Sequence, residues 1–246
     1  MNRYFYDLHI HSCLSPCADD DMTVNNIAGM AAIKGLNIIA LTDHNSCKNC
    51  PAFYKACKKM GLVPVAGMEL TTAEEIHLLC IFPSLESATD FDEAFGQYRA
   101  KIKNKPEIFG EQLVLDESDE VTGKEEFLLP PASALSLEDA VRLVKAHGGF
   151  CWPAHIDRPS NGLIGVLGSF PDEPYFGTVE LSANALTGEH AIPLPDLTGR
   201  IVVKNSDAHH LWDISEAENS FTLDDEPYSG DKVRQSLFAA LKGEHA

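Results

Sequence analysis

Residues 3–12 read Arg-Tyr-Phe-Tyr-Asp-Leu-His-Ile-His-Ser, a run of aromatic and aliphatic residues that ends in His9-x-His11. Residues of this kind favour a pleated, half-buried backbone, so Arg3–Leu8 reads as a strand. Alternate residues of a strand share a face, which points both imidazoles the same way and lets them hold one ion. The arrangement returns along the chain. Leu36–Leu41 runs into Thr42-Asp43-His44, and Leu62–Ala66 into Gly67-x-Glu69. Phe150–Ala154 runs into His155, with Arg158 three residues on, and Arg200–Lys204 precedes Asp207-x-His209. His77 sits inside the apolar run Glu75–Phe82, and Thr178–Leu181 reads as a further strand.

Helix-like segments fill the intervals. Thr23–Lys34 has Thr23 as its N-cap and Gly35 as its stop, and Ser136 caps a helix that closes at His147. Pro51–Lys59, Leu85–Lys103 and Asp231–Lys242 are the others. Strand–helix alternation predicts a parallel sheet with helices outside it, and six or seven strands over roughly 200 core residues fit a closed barrel better than a small open sheet. Functional residues then belong at the C-terminal ends of the strands, which is where the ionisable residues fall.

The 246-residue chain is 44% hydrophobic and 23% charged, which excludes a disordered or collagen-like chain. Leu36–Leu41 and Leu78–Phe82, the longest apolar stretches, are too short to span a membrane. No apolar segment precedes the first strand, so the expectation is a cytoplasmic protein without a membrane partner. Nineteen basic against thirty-seven acidic residues give a net charge of −18, which repels an extended nucleic acid; a small phosphorylated substrate needs only a local pocket. No pattern fixes an oligomeric state. Seven cysteines without an export signal suggest reduced thiols or metal ligands. Cys13 and Cys17 follow the first strand, and Cys47 and Cys50 the second, so the four could hold a separate structural metal or iron–sulfur cluster. Cys57, Cys80 and Cys151 read as core.

Lys105–Pro131 breaks the rhythm, with eight acidic residues between Glu107 and Glu126 against one lysine. It reads as an insertion in a single domain spanning residues 1–246, and its charges as a solvated face. His147, His190 and His245 belong to no pattern.

Nitrogen and oxygen donors without thiolate suit manganese, iron or zinc, and so many donors require a cluster of two or three divalent ions. Taken together, His9-x-His11, Thr42-Asp43-His44, Gly67-x-Glu69, His77, His155 and Asp207-x-His209 resemble the polymerase and histidinol phosphatase (PHP) family. The resemblance implies a distorted seven-stranded (β/α)7 barrel, here with the acidic insertion, a trinuclear metal site and phosphoesterase activity. It implies one ion on His9, His11, Glu69 and Asp207, and a second that shares Glu69 and adds His77 and His155. A third would take His44, His209 and an acidic residue of the loop after the first strand, Asp19 or its neighbour Asp20.

Such ions polarise a phosphoryl oxygen and acidify a bound water, so that hydroxide exists near neutral pH. Arg158 would hold a phosphate oxygen, His209 or His210 would protonate the leaving oxygen, and Asp43 would orient an imidazole. The expected activity is hydrolysis of a small phosphomonoester. A phosphodiesterase or exonuclease acting on oligonucleotides, and a metal-binding regulatory module without turnover, are the alternatives.

Overall fold

Nine consecutive buried residues, Val63–Thr71, run through the middle of the sheet that positions the site. The computed structural model describes residues 1–182 and 192–244; His190 and His245 lie outside the described residues. In chain order the first half comprises β1 (Asn2–Asp7), α1 (Val24–Ile33), β2 (Ile38–Leu41), α2 (Cys50–Lys59), β3 (Val63–Thr71), β4 (His77–Phe82) and α3 (Leu85–Phe95). Next come α4 (Pro106–Phe109), β5 (Leu113–Leu115), β6 (Val121–Lys124), α5 (Leu137–Ala146) and β7 (Phe150–Pro153). The chain closes with α6 (Leu163–Leu167), β8 (Thr178–Ser182), β9 (Ile201–Asn205), β10 (Ser220–Leu223) and α7 (Gly230–Leu241).

Six strands pair in the order β10-β1-β2-β3-β4-β7 and curl into a half-barrel. The β1-β2-β3 pairs are parallel, as the alternation with helices predicts. The expectation of a wholly parallel sheet is corrected by the others: β3–β4, β4–β7 and β1–β10 are antiparallel. Five residues separate Thr71 from His77, far fewer than the crossover a parallel neighbour requires, so the chain turns back as a hairpin. Strands β8 and β9 form a separate parallel ribbon. It stands between the two arms of the curl, since Ile156 N–H donates to the Glu180 carbonyl at 2.9 Å and Leu8 N–H to Asn205 Oδ1 at 2.9 Å.

Both faces of the sheet are buried, which is why its strands read as continuous apolar runs. Ile39, Leu41, Ala66 and Met68 face a core shared with α1, α2, α3 and α5. Ile38, Ala40, Val63, Val65, Leu79 and Trp152 face a second core, against which α7 lays Val233, Leu237 and Leu241. Local chemistry sets the helix ends. Thr23, Ser84, Ser136 and Ser229 each accept a backbone N–H at the helix start, and Gly35 (φ +77°) follows α1 in the left-handed conformation that favours glycine. The helix expected over Leu85–Lys103 stops at Phe95, followed by a single 3-10 turn, after which Arg99 folds back to pair with Asp92 and to donate to the Asn45 carbonyl at 2.6 Å.

The acidic segment is held against the domain. Asp119 accepts from Thr23 Oγ1 at 2.8 Å and from the Asn25 N–H at 3.2 Å, placing its charge at the start of α1. Lys48 pairs with Glu125 and Lys55 with Glu117, while Lys124 pairs with Glu111 within the segment. Leu113 N–H donates to the Cys13 carbonyl at 2.9 Å, which ties the β5–β6 ribbon to the loop after β1. No helix of the described residues is long and apolar enough to cross a membrane.

Candidate metal centre

Glu69 lies inside β3, and imidazoles from four other parts of the chain surround its carboxylate. Oε1 is 2.8 Å from His77 Nδ1, 3.0 Å from His155 Nε2 and 3.3 Å from His9 Nε2. Oε2 is 3.0 Å from His44 Nδ1 and 3.3 Å from His11 Nε2. Asp207 Oδ1 closes the other side, 3.2 Å from His9 Nε2 and 3.1 Å from His11 Nε2. His209 stacks on His11 with ring centroids 4.3 Å apart. Three overlapping groups of donors each lie within 4.8 Å of one another: His9, His11, Glu69 and Asp207; His44, Glu69 and His77; and His11, His44 and His209.

The hydrogen bonds behind the cluster fix which nitrogen faces it. His9 Nδ1 lies 2.8 Å from the Glu180 carboxylate, which can only accept, so Nε2 presents its lone pair to the cluster. Ser15 Oγ donates to Asp43 Oδ1 at 2.7 Å and accepts from His11 Nδ1 at 3.0 Å, which orients His11 in the same sense. His209 Nδ1 donates to the Asp207 carbonyl oxygen at 2.9 Å and leaves its Nε2 available. Asp43, expected to orient an imidazole, reaches His11 through Ser15 and also accepts from the Ser12 N–H and Oγ, both at 2.7 Å.

Charge follows from this packing. Burial alone would raise the Glu69 carboxyl, but His77, His9 and His44 outweigh it and hold it well below the usual carboxylate range. Asp207 is likewise held well below its usual value: His9 and His11 overcome its burial. Burial pulls the His11 imidazole down, yet the neighbouring Asp207 and Glu69 carboxylates bring it up to about 9. Burial lowers His44 to about 4, and burial with the neighbouring His11 charge lowers His209 to about 3, so both are neutral imidazoles suited to ligation.

His155 (φ 27°) and Asp207 (φ 54°) both take left-handed backbone conformations, unusual for residues with side chains. They lie just beyond β7 and β9, and the strained backbone aims their side chains back at the cluster. Arg158 Nη1 rests 2.6 Å from Asp207 Oδ2 with the guanidinium side chain 40% exposed.

Asp19 is not brought to the cluster. Its carboxylate is exposed and pairs with His210 Nδ1 at 2.7 Å, although its backbone N–H donates to the His209 carbonyl at 3.0 Å. Nor do the four loop cysteines gather: no thiol joins any of the three donor groups among the described residues. Cys13, Cys47 and Cys50 are buried, Cys17 is exposed, and Cys47 Sγ donates to the Gly67 carbonyl at 3.1 Å. Burial pushes the Cys13 and Cys47 thiols up, as expected of packing residues. Cys57, Cys80 and Cys151 are buried, as read from their positions.

Glu180 is the residue that sequence reasoning missed. Buried on β8, its carboxylate accepts from His9 Nδ1, from the His155 N–H at 3.2 Å, from Asn205 Nδ2 at 2.6 Å and from Trp152 Nε1 at 3.4 Å. The available signal was a single carboxylate between Val179 and Leu181 in a buried strand, which must find partners.

The cluster fits divalent metal on its own chemistry. Glu69 Oε2 and His44 Nδ1 are buried without a hydrogen-bond partner, and they face each other at 3.0 Å without hydrogen-bond geometry. A buried carboxylate oxygen and a buried imidazole nitrogen that meet without bonding to each other fit a shared cation.

Several known proteins resemble this chain in sequence or in fold. Over 74 residues the chain is 34% identical to the error-prone DNA polymerase of Symbiobacterium thermophilum, a match that takes in 30% of this chain and 7% of that polymerase. The lesion-specific endonuclease PfuEndoQ of Pyrococcus furiosus aligns with 100% of the chain at a TM-score of 0.65 and 22% identity, the chain spanning 57% of its length. A candidate metal-dependent phosphoesterase of Bifidobacterium adolescentis aligns over 95% of both chains at a TM-score of 0.59 and 17% identity. These two solved structures share the fold. The family model described as the PHP domain matches residues 7–129, a stretch that holds His9, His11, His44, Glu69 and His77 and continues through most of the acidic segment. That match covers half of the 246 residues, and this chain belongs to the PHP domain family.

Proposed function

We propose that this protein is a metal-dependent phosphoesterase that hydrolyses a small phosphomonoester. The observation that carries the reading is the three overlapping donor groups around Glu69, whose Oε2 and the facing His44 Nδ1 are buried and unpartnered, beside an ion-paired, partly exposed arginine. His9, His11, Glu69 and Asp207 would hold one divalent ion, His77, His155 and Glu69 a second, and His44 and His209 a third, with manganese, iron or zinc as the candidates. When bound, such ions supply Lewis acidity toward a phosphoryl oxygen and acidify a water. The chain's own groups do the positioning. Glu180 and Ser15 hold His9 and His11 in the ligating tautomer, Asp207 aims the Arg158 guanidinium, and that guanidinium holds a phosphate oxygen through its remaining N–H groups.

The family's seven-stranded wall corresponds in this reading to β1, β2, β3, β4, β7, β8 and β9, with the ribbon completing the curl. A net charge of −18 favours a small ester over an extended strand, because repulsion outside the pocket grows with the number of phosphates. Seven unpaired cysteines suit a reducing compartment, the cytoplasm.

The test is phosphate release by manganese-loaded protein from nucleoside monophosphates, sugar phosphates and single-stranded oligonucleotides, with Asp207→Ala alongside. Turnover of a small ester, lost in the variant, is the expected result. Release from oligonucleotides alone would replace the phosphomonoesterase with a nuclease.

A further inference from the structure

The loop after Asp207-x-His209 presents Trp212 with 80% of its surface exposed, whereas Trp152, the only other tryptophan, is fully buried. What sets this indole apart is its place: it offers a flat apolar face on the same groove as two residues of the metal centre. This one is pinned. Lys34 Nζ donates to the carbonyls of Trp212 and Ile214, and the Ser215 N–H donates to Asp7 Oδ2 at 2.9 Å. Trp212 lines a groove of about 650 Å3 whose wall also includes Asp207 and Arg158 of the metal centre. Lys204 lines it too and makes no ion pair among the described residues. The remaining carboxylates on the wall are Asp213 and Glu218, together with Glu216, which Lys34 holds at 3.2 Å.

We propose that this groove binds the part of the substrate beyond its phosphate, with Trp212 stacked on a planar nucleobase, so that the substrate is a nucleoside monophosphate. The inference rests on the phosphomonoesterase reading and deepens it. Every base offers a π-face, and an aromatic platform on a held loop captures it without ordering a mobile segment. Arg158 and Lys204 supply positive charge for a single phosphate at the metal end. Asp213 and Glu218 can accept from the amino or imino groups of a base, but they repel a second phosphate, which favours a monophosphate over a strand.

The two tryptophans make the test direct. Adenosine 5′-monophosphate and ribose 5-phosphate are each mixed with the full chain, and tryptophan emission is read before turnover proceeds. Saturable quenching by the nucleotide and not by the sugar phosphate, lost in Trp212→Phe where only buried Trp152 emits, is the expected result. Quenching that is absent, or that persists in Trp212→Phe, overturns the inference. In phosphate release by manganese-loaded protein, Trp212→Ala should raise the ratio of KM for the nucleotide to KM for ribose 5-phosphate by about tenfold or more. Release from both esters with that ratio unchanged overturns the stacking site and leaves the phosphoesterase standing. Saturable quenching without release from any ester overturns the phosphoesterase and leaves the nucleotide site standing.

Discussion

Glu69 Oε2 lies 3.0 Å from His44 Nδ1, both atoms are buried, and neither makes a hydrogen bond. Two groups that ordinarily demand partners thus face each other across a gap a cation would fill. Glu69 also touches His9, His11, His77 and His155, so its charge is shared by every part of the cluster except His209 and Asp207.

Removing that charge should therefore undo the whole centre. Glu69→Gln keeps the volume, and metal affinity is expected to fall by more than the roughly 10–100-fold that loss of an outer partner costs. Chelator competition, with circular dichroism as a check on the fold, measures it. Metal affinity within twofold of the parent would show that Glu69 does not bridge.

Glu180 acts one step out. Glu180→Gln places an amide where four donors converge, which disturbs the tautomer of His9 and the seat of His155. Metal affinity and turnover should both drop about 10–100-fold, and Trp152 emission should shift because its Nε1 loses the carboxylate. Unchanged affinity with shifted emission would reduce Glu180 to a packing role.

The Gly67-x-Glu69 pattern has a steric origin. A Cβ at Gly67 would meet the Cys80 carbonyl at 2.5 Å and Thr42 Cγ2 at 2.9 Å, both on neighbouring strands or their ends. Gly67→Ala should destabilise the fold by about 1–3 kcal/mol, because backbone must move to admit a methyl group. Denaturant titration reads the change, and a midpoint equal to the parent's would mean that the strands yield freely.

The metal-free protein should be most stable near pH 6.5. Folded His11 titrates at about 9 against 6.5 for an ordinary imidazole, so its stabilisation is complete below 6.5 and is lost as pH rises through about 9. His44 and His209, held at about 4 and about 3, act in the opposite direction: below 6.5 the unfolded chain takes up protons that the fold refuses. A lower Tm at pH 9 than at pH 6.5 is expected without metal. With metal the difference should shrink, because ligation requires the deprotonated imidazole. A flat profile without metal would contradict the assigned charges.

Much of this site was legible because its donors follow apolar runs: His9, His44, His155 and Asp207 each come at or just past a strand end, where chain pattern and chemistry coincide. Strand direction was not legible. An apolar run such as Leu78–Phe82 looks the same either way, and the short turn after Thr71 became visible only once β3 was seen to extend to that residue instead of stopping at Ala66. Glu180 escaped because it sits mid-strand, where its importance comes from partners 25 and 171 residues away. Asp19 shows the complementary difficulty: in a loop, spacing does not set where a carboxylate points, and this one points to His210. The acidic segment looked like mere solvated charge, yet Asp119 accepts at the start of α1, and Lys48 and Lys55 pair with two of its glutamates.

Metal content decides whether the Glu69 cluster is a multinuclear metal centre. Elemental analysis of protein purified without chelator, then reloaded with manganese or zinc and desalted, should find two or three ions per chain, falling to one or none in Glu69→Gln. One ion or fewer in the reloaded parent protein would mean that the cluster is not a multinuclear centre.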